Sequence, residues 1–87
     1  MKTHILVVDD ELRYQHLLRV NLEAENYKVS TAGDGEQAIE LISSHRPDLV
    51  ILDVMMPRLD GYTTCERIRQ FSNVPIIMLT GKAEEDD

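Results

Sequence analysis

Leu49-Val50-Ile51-Leu52-Asp53-Val54-Met55-Met56-Pro57 is the stretch that decides how this chain folds. Its first four residues are apolar without interruption, the pattern of a strand buried on both faces. The run ends in Asp53. A second run, Ile5-Leu6-Val7-Val8, ends the same way, in Asp9-Asp10-Glu11. Two buried strands therefore deliver carboxylates at their C-terminal ends. Open parallel sheets place ligands there, at the point where strand order reverses. Carboxylates converging on one point repel one another unless a cation lies between them. The pattern points to a hard divalent metal and to phosphoryl chemistry on an aspartate.

Outward from these strands, Pro75-Ile76-Ile77-Met78-Leu79-Thr80 is a third apolar run, with proline tolerated at its first position. Tyr27-Lys28-Val29-Ser30-Thr31 alternates instead, which suits a strand at a sheet edge. Helical spacing lies between. Tyr14, Leu17, Leu18 and Leu22 form one stripe; Ala38, Ile39, Leu41 and Ile42 form another; Tyr62, Cys65 and Ile68 mark a third. Asp34 followed by Gln37 resembles a capping box, and Asp60 is placed as an N-cap with Arg67 and Arg69 near the far end of its helix. Pro47 and Pro75 stop helix propagation. The order βαβαβαβ predicts an α/β domain, a parallel sheet joined by right-handed crossovers. The acidic end, Glu84-Glu85-Asp86-Asp87, reads as a solvated helix start.

With 87 residues the chain makes one small domain, and a core of this size is marginal. A net charge of −7 disfavours direct nucleic-acid contact by this segment, whose footprint would be basic. The single cysteine, Cys65, allows no internal disulfide and suits a reducing compartment. On the apolar stripe of a helix it reads as a core thiol. Residues 5–8 are too short an apolar run for a signal peptide, and no stretch approaches membrane-spanning length. A cytoplasmic protein without membrane contact is expected. His4, His16 and His45 lack metal-ligand spacing and are expected at the surface.

Val8-Asp9-Asp10-Glu11, Leu52-Asp53-Val54-Met55-Met56-Pro57, Asp60-Gly61 and Met78-Leu79-Thr80, in this order, closely resemble the receiver domain of bacterial two-component response regulators. The resemblance runs from Ile5 to Asp87. It implies a CheY-like, flavodoxin-like doubly wound parallel sheet. It also implies that Asp53 is the phosphoacceptor, taking a phosphoryl group from a sensor histidine kinase. Asp10 and Asp53 would bind Mg²⁺ directly, Asp9 through water, and the backbone carbonyl of Met55 would complete the protein ligands. Thr80 would hydrogen-bond the phosphoryl group and act as a switch, and small Gly81 would leave the site accessible. Mg²⁺ suits this role because it takes oxygen ligands and shares them with phosphate. The family pattern continues with a lysine on a fifth strand, an aromatic switch residue and a fifth helix. Lys82 does not match that lysine. Residues 1–87 are therefore expected to be a receiver incomplete at its C-terminus, strand order 2-1-3-4, without the fifth strand and helix. The run Val74-Pro75-Ile76-Ile77-Met78-Leu79-Thr80 and the Glu84-Glu85-Asp86-Asp87 after it resemble the subfamily with a winged-helix DNA-binding output domain, which the longer parent would carry.

Two other readings stand beside this one. A Mg²⁺-dependent phosphohydrolase with an aspartyl-phosphate intermediate typically has a second aspartate two residues after its nucleophile. Met55 occupies that position, which argues against turnover and for a module that is not an enzyme. The chain could also be an interaction fragment incompetent for phosphorylation. An apolar last strand without a following partner would make the fragment self-associate.

Overall fold

The computed structural model describes residues 2–56 and 59–79. Four strands and three helices alternate: β1 (His4–Val8), α1 (Leu12–Ala24), β2 (Lys28–Ala32), α2 (Gly35–His45), β3 (Leu49–Asp53), α3 (Gly61–Arg69) and β4 (Ile76–Leu79). All pairings are parallel, in the order β2-β1-β3-β4. The predicted architecture and strand order are those observed. β2 lies at the edge of the sheet, as its alternation requires, although it starts and ends one residue later than its sequence pattern.

The crossovers explain the layers. From β1 the chain moves one way to β2, then back past β1 to β3 and on to β4. Right-handed connections therefore put α1 on one face and α2 with α3 on the other. Side chains divide accordingly. Leu6, Val8, Val50 and Leu52 join Ala38, Ile42, Ile68 and Val74 in one core on the α2/α3 face, with Cys65 packed against it. Ile5 and Val7 point the other way, under α1, and are equally buried. The central strands are buried on both faces, which is why their sequences do not alternate.

Caps fix two helix starts. Asp34 accepts the backbone N–H of Gln37 at 2.8 Å, and the Gln37 side chain accepts the N–H of Gly33 at 2.8 Å. The reciprocal arrangement is a capping box displaced by one residue. Asp60 accepts the N–H of Thr63 at 2.8 Å. That bond holds the Asp60 carboxyl below its ordinary range. Arg46 ends α2 in the left-handed conformation, its N–H on the carbonyl of Ile42.

Two expectations fail. The stripe Tyr14, Leu17, Leu18 and Leu22 does not define the buried side of α1. Leu18 and Leu22 are half-buried, Leu17 is 55% exposed, and Gln15 is the buried residue of the helix. The helix is rotated so that Gln15 meets backbone carbonyls of Asp9 and Ala32. His4 is also buried. Its ring nitrogen Nε2 lies 2.7 Å from the Ser30 hydroxyl on the neighbouring strand, and its backbone N–H reaches Asp48 at 2.8 Å. A partner 26 residues away leaves no local signature. His16 and His45 are exposed as expected.

Candidate functional site

β1 and β3 are neighbours, with Val8 opposite Leu52. The residues that follow, Asp9 and Asp53, therefore emerge side by side from the C-terminal edge of the sheet. The chain reverses direction across the sheet between these two strands. Asp10 completes a group of three: one carboxylate oxygen from each of Asp9, Asp10 and Asp53 lies within 4.8 Å of the others. Asp9 and Asp53 are buried and Asp10 is exposed. The donor set consists of oxygens alone, and one member faces solvent. A small hard cation that keeps part of its water shell fits such a set, whereas a soft metal does not.

Each buried carboxylate is held by its own loop. Asp9 accepts the N–H of Glu11 at 2.9 Å, and its own N–H reaches Ala32 at 3.1 Å. The Asp9 carbonyl accepts the Gln15 amide at 2.6 Å. Asp53 accepts the N–H of Met55 at 3.0 Å. The next residue, Val54, gives its N–H to Leu79 at 3.0 Å and accepts that of Gly61 at 3.1 Å. The N-terminus of α3 is thereby drawn against the end of β3. A Cβ at Gly61 would meet the Asp53–Val54 backbone. Only a residue without a side chain permits that approach. Gln15 and Gly61 are thus positioning residues. Gly61 belongs to the Asp-Gly motif visible in the sequence, but Gln15 stands between Tyr14 and His16 and carries no local signal.

A cleft of about 440 Å³ opens beside Asp53, lined by Val54, Met55, Met56, Asp60 and Tyr62. Met55 and Tyr62 are exposed. Met55 thus flanks the site, and its N–H is committed to Asp53. Pro57, Thr80, Gly81, Lys82 and the acidic end lie outside the described residues. A separate cavity of about 660 Å³, lined in part by Arg46, Asp48, Phe71 and Pro75, lies near the opposite edge of the sheet, where β3 and β4 begin.

Three carboxylates, two of them buried, thus gather at the switch point of a four-stranded parallel sheet, the arrangement of an α/β domain of the receiver kind. The chain belongs to the response regulator receiver domain family, whose model matches residues 5–87. It is 52% identical over 77 residues to the probable transcriptional regulator ycf27 of Cyanidium caldarium, covering 88% of this chain and 31% of that protein. It is 50% identical to the alkaline phosphatase synthesis transcriptional regulatory protein PhoP of Bacillus subtilis, covering 100% of this chain and 37% of that one. The chain thus spans about a third of the curated relatives it matches. Among solved structures, the response regulator TrrA of Thermotoga maritima in complex with Mg(2+)-BeF superposes with a TM-score of 0.84 at 38% identity, covering 99% of this chain and 76% of that one. Among the described residues, no helix is long and apolar enough to cross a membrane.

Proposed function

We propose that this receiver domain accepts a phosphoryl group on Asp53 and serves as the input module of a transcriptional response regulator. The convergence of Asp9, Asp10 and Asp53 at the β1/β3 switch point carries the reading. Asp53 is buried and fixed by the Met55 N–H, so one carboxylate oxygen is oriented and the aspartate is held as a nucleophile. Mg²⁺ is assigned to Asp10 and Asp53 directly, to Asp9 through water and to the Met55 carbonyl. When bound it would neutralise charge on the incoming phosphoryl oxygens. Thr80 is assigned the hydroxyl that hydrogen-bonds the phosphoryl group. The exposed Met55 and Tyr62 beside the cleft offer an apolar approach for a phosphodonor.

The phosphodonor is a sensor histidine kinase, and the output is a DNA-binding domain in the longer parent. The similarity to ycf27 and PhoP, both named as transcriptional regulators, supports that output. We read residues 1–87 as a receiver incomplete at its C-terminus, because the chain covers 74–77% of several solved receivers. We place it in the cytoplasm, not as an enzyme, and with a tendency to self-associate.

Intact mass after incubation with acetyl phosphate and Mg²⁺ tests the assignment. It is measured on this chain and on the natural gene product that contains it. The gene product gains one phosphoryl group, Asp53→Ala abolishes the gain, and the shorter chain labels more slowly for want of the family lysine. A gain that persists in Asp53→Ala, or no gain in the gene product, overturns the assignment. Steady turnover of p-nitrophenyl phosphate would favour the phosphohydrolase reading instead.

A further inference from the structure

Between α1 and β2, on the face of the sheet away from the main core, a cleft of about 190 Å³ is lined by Leu12, Gln15, His16, Arg19 and Thr31. None of these side chains is acidic. The chain carries a net charge of −7, yet residues 12–22 contain no aspartate or glutamate and place His16 and Arg19 three residues apart. Residues at that spacing share one side of a helix.

Arg19 is half-buried in this cleft, and its Nε is enclosed without a hydrogen-bond partner. Its Nη2 reaches the Thr31 hydroxyl only at 3.4 Å, beyond the usual range for a strong bond. Nε and Nη2 form the side-on edge of the guanidinium, the edge that binds a planar or tetrahedral oxyanion through two parallel bonds. A half-buried guanidinium normally finds a carboxylate or a set of carbonyls. Among the described residues a single neutral hydroxyl stands beside it. Gln15 cannot substitute, because its amide nitrogen is already committed to the carbonyl of Asp9 at 2.6 Å.

We infer that this cleft binds a small oxyanion, a carboxylate or phosphate group, on the Nε/Nη2 edge of Arg19 with the Thr31 hydroxyl as a third donor. Because Nε is enclosed in the empty arrangement, the long Arg19 side chain would have to rotate to turn that edge into the cleft. The bound arrangement then supplies Nε with an acceptor that the empty arrangement denies it. The site is separate from the carboxylate cluster, where an anion would be repelled. It does not depend on the function proposed for Asp53.

Nuclear magnetic resonance of the ¹⁵N-labelled chain in metal-free buffer tests the site, at constant ionic strength with chloride as the reference anion. The three probes are inorganic phosphate, acetate and a blocked tripeptide with one central glutamate. The Arg19 Nε–H signal and the Thr31 amide should shift along a saturating curve in the millimolar range. Arg19→Met should weaken the response at Thr31 roughly tenfold, as expected for loss of a charge-assisted contact. Arg13→Met should leave it unchanged. Saturation by phosphate or acetate assigns a free anion. Saturation by the peptide alone assigns a carboxylate on a partner protein. Linear, non-saturating shifts with all three probes overturn the proposal. So does a Thr31 curve that is the same in wild type and Arg19→Met. Should Arg19→Met fail to fold, the wild-type Nε–H curve still decides the matter.

Discussion

A Cβ on Gly61 would lie 2.7 Å from the backbone oxygen of Asp53. The same atom would lie 2.7 Å from the Cα of Val54. Both neighbours are main chain, at the end of a strand paired on each side, and neither can move aside cheaply. Gly61→Ala should therefore destabilise the fold by about 1–3 kcal/mol, the usual cost of overpacking. Helix propensity alone predicts the opposite sign, a gain of up to about 1 kcal/mol in a helix interior. Urea denaturation separates the two. A more stable alanine variant would show that the loop after β3 has slack, and that Asp53 is not held by this contact.

Asp10 is the exposed member of the carboxylate cluster, so its replacement leaves the buried pair in place. Asp10→Asn removes one of three like charges and should raise the melting temperature in metal-free buffer. Mg²⁺ should stabilise the wild type by about 1.4 kcal/mol for each tenfold of concentration above its dissociation constant. The variant should lose most of that response. Differential scanning fluorimetry across a Mg²⁺ series measures both effects. An equal shift in the two proteins would remove Asp10 from the metal site.

The carboxylate site was legible because its parts lie at strand ends, where an apolar run stops abruptly in acid. Asp9, Asp10 and Asp53 need no knowledge of tertiary structure beyond strand adjacency. The caps at Asp34 and Asp60 are equally local, since donor and acceptor are three residues apart. What could not be read is contact between distant segments. Gln15 is buried because carbonyls of Asp9 and Ala32 await it. The apolar neighbours Tyr14 and Leu17 stand more open than the amide. His4 is buried because Ser30 on β2 faces it. Hydrophobic periodicity scores each of these residues as polar and sends it to the surface.

His4 should make stability depend on pH. Burial lowers its pKa below the ordinary 6.5, Lys28 and His45 lower it further, and Asp48 pulls the other way. The folded state thus binds a proton less readily than the unfolded chain. The linked stability is complete above about pH 6.5 and is lost as pH falls through that value toward the folded pKa. Denaturation midpoints should fall more between about pH 7.5 and 5.5 in the wild type than in His4→Gln. Equal slopes would mean that the imidazole titrates alike in both states.

Capping should be measurable at α2. Asp34→Ala removes the acceptor for the Gln37 N–H and should cost about 0.5–2 kcal/mol. Asp34→Asn keeps an acceptor oxygen and should recover most of the loss. If the asparagine variant is as unstable as the alanine one, charge at the helix start outweighs the hydrogen bond.

The final expectation concerns β4. Its residues alternate between the two faces of the sheet: Ile76 and Met78 pack on the main core, while Ile77 and Leu79 face the side of α1. α1 packs over β1 and β2, where it buries Ile5 and Val7. It does not extend over β4, so Ile77 stays 49% exposed and Leu79 38% exposed. Leu17 and Val20 on the flank of α1 are also open. Among the described residues β4 pairs with β3 alone, and its other edge is a row of backbone donors and acceptors. An apolar surface beside an open strand edge favours pairing with another chain. The 87-residue chain should therefore self-associate, and light scattering after size-exclusion chromatography should show a mass that rises with concentration. Ile77→Lys should shift that equilibrium toward monomer, because a charge on the open face opposes packing without entering the main core. A monomer at every concentration would mean that the four-stranded sheet tolerates an open apolar edge, and that self-association is not a property of this chain.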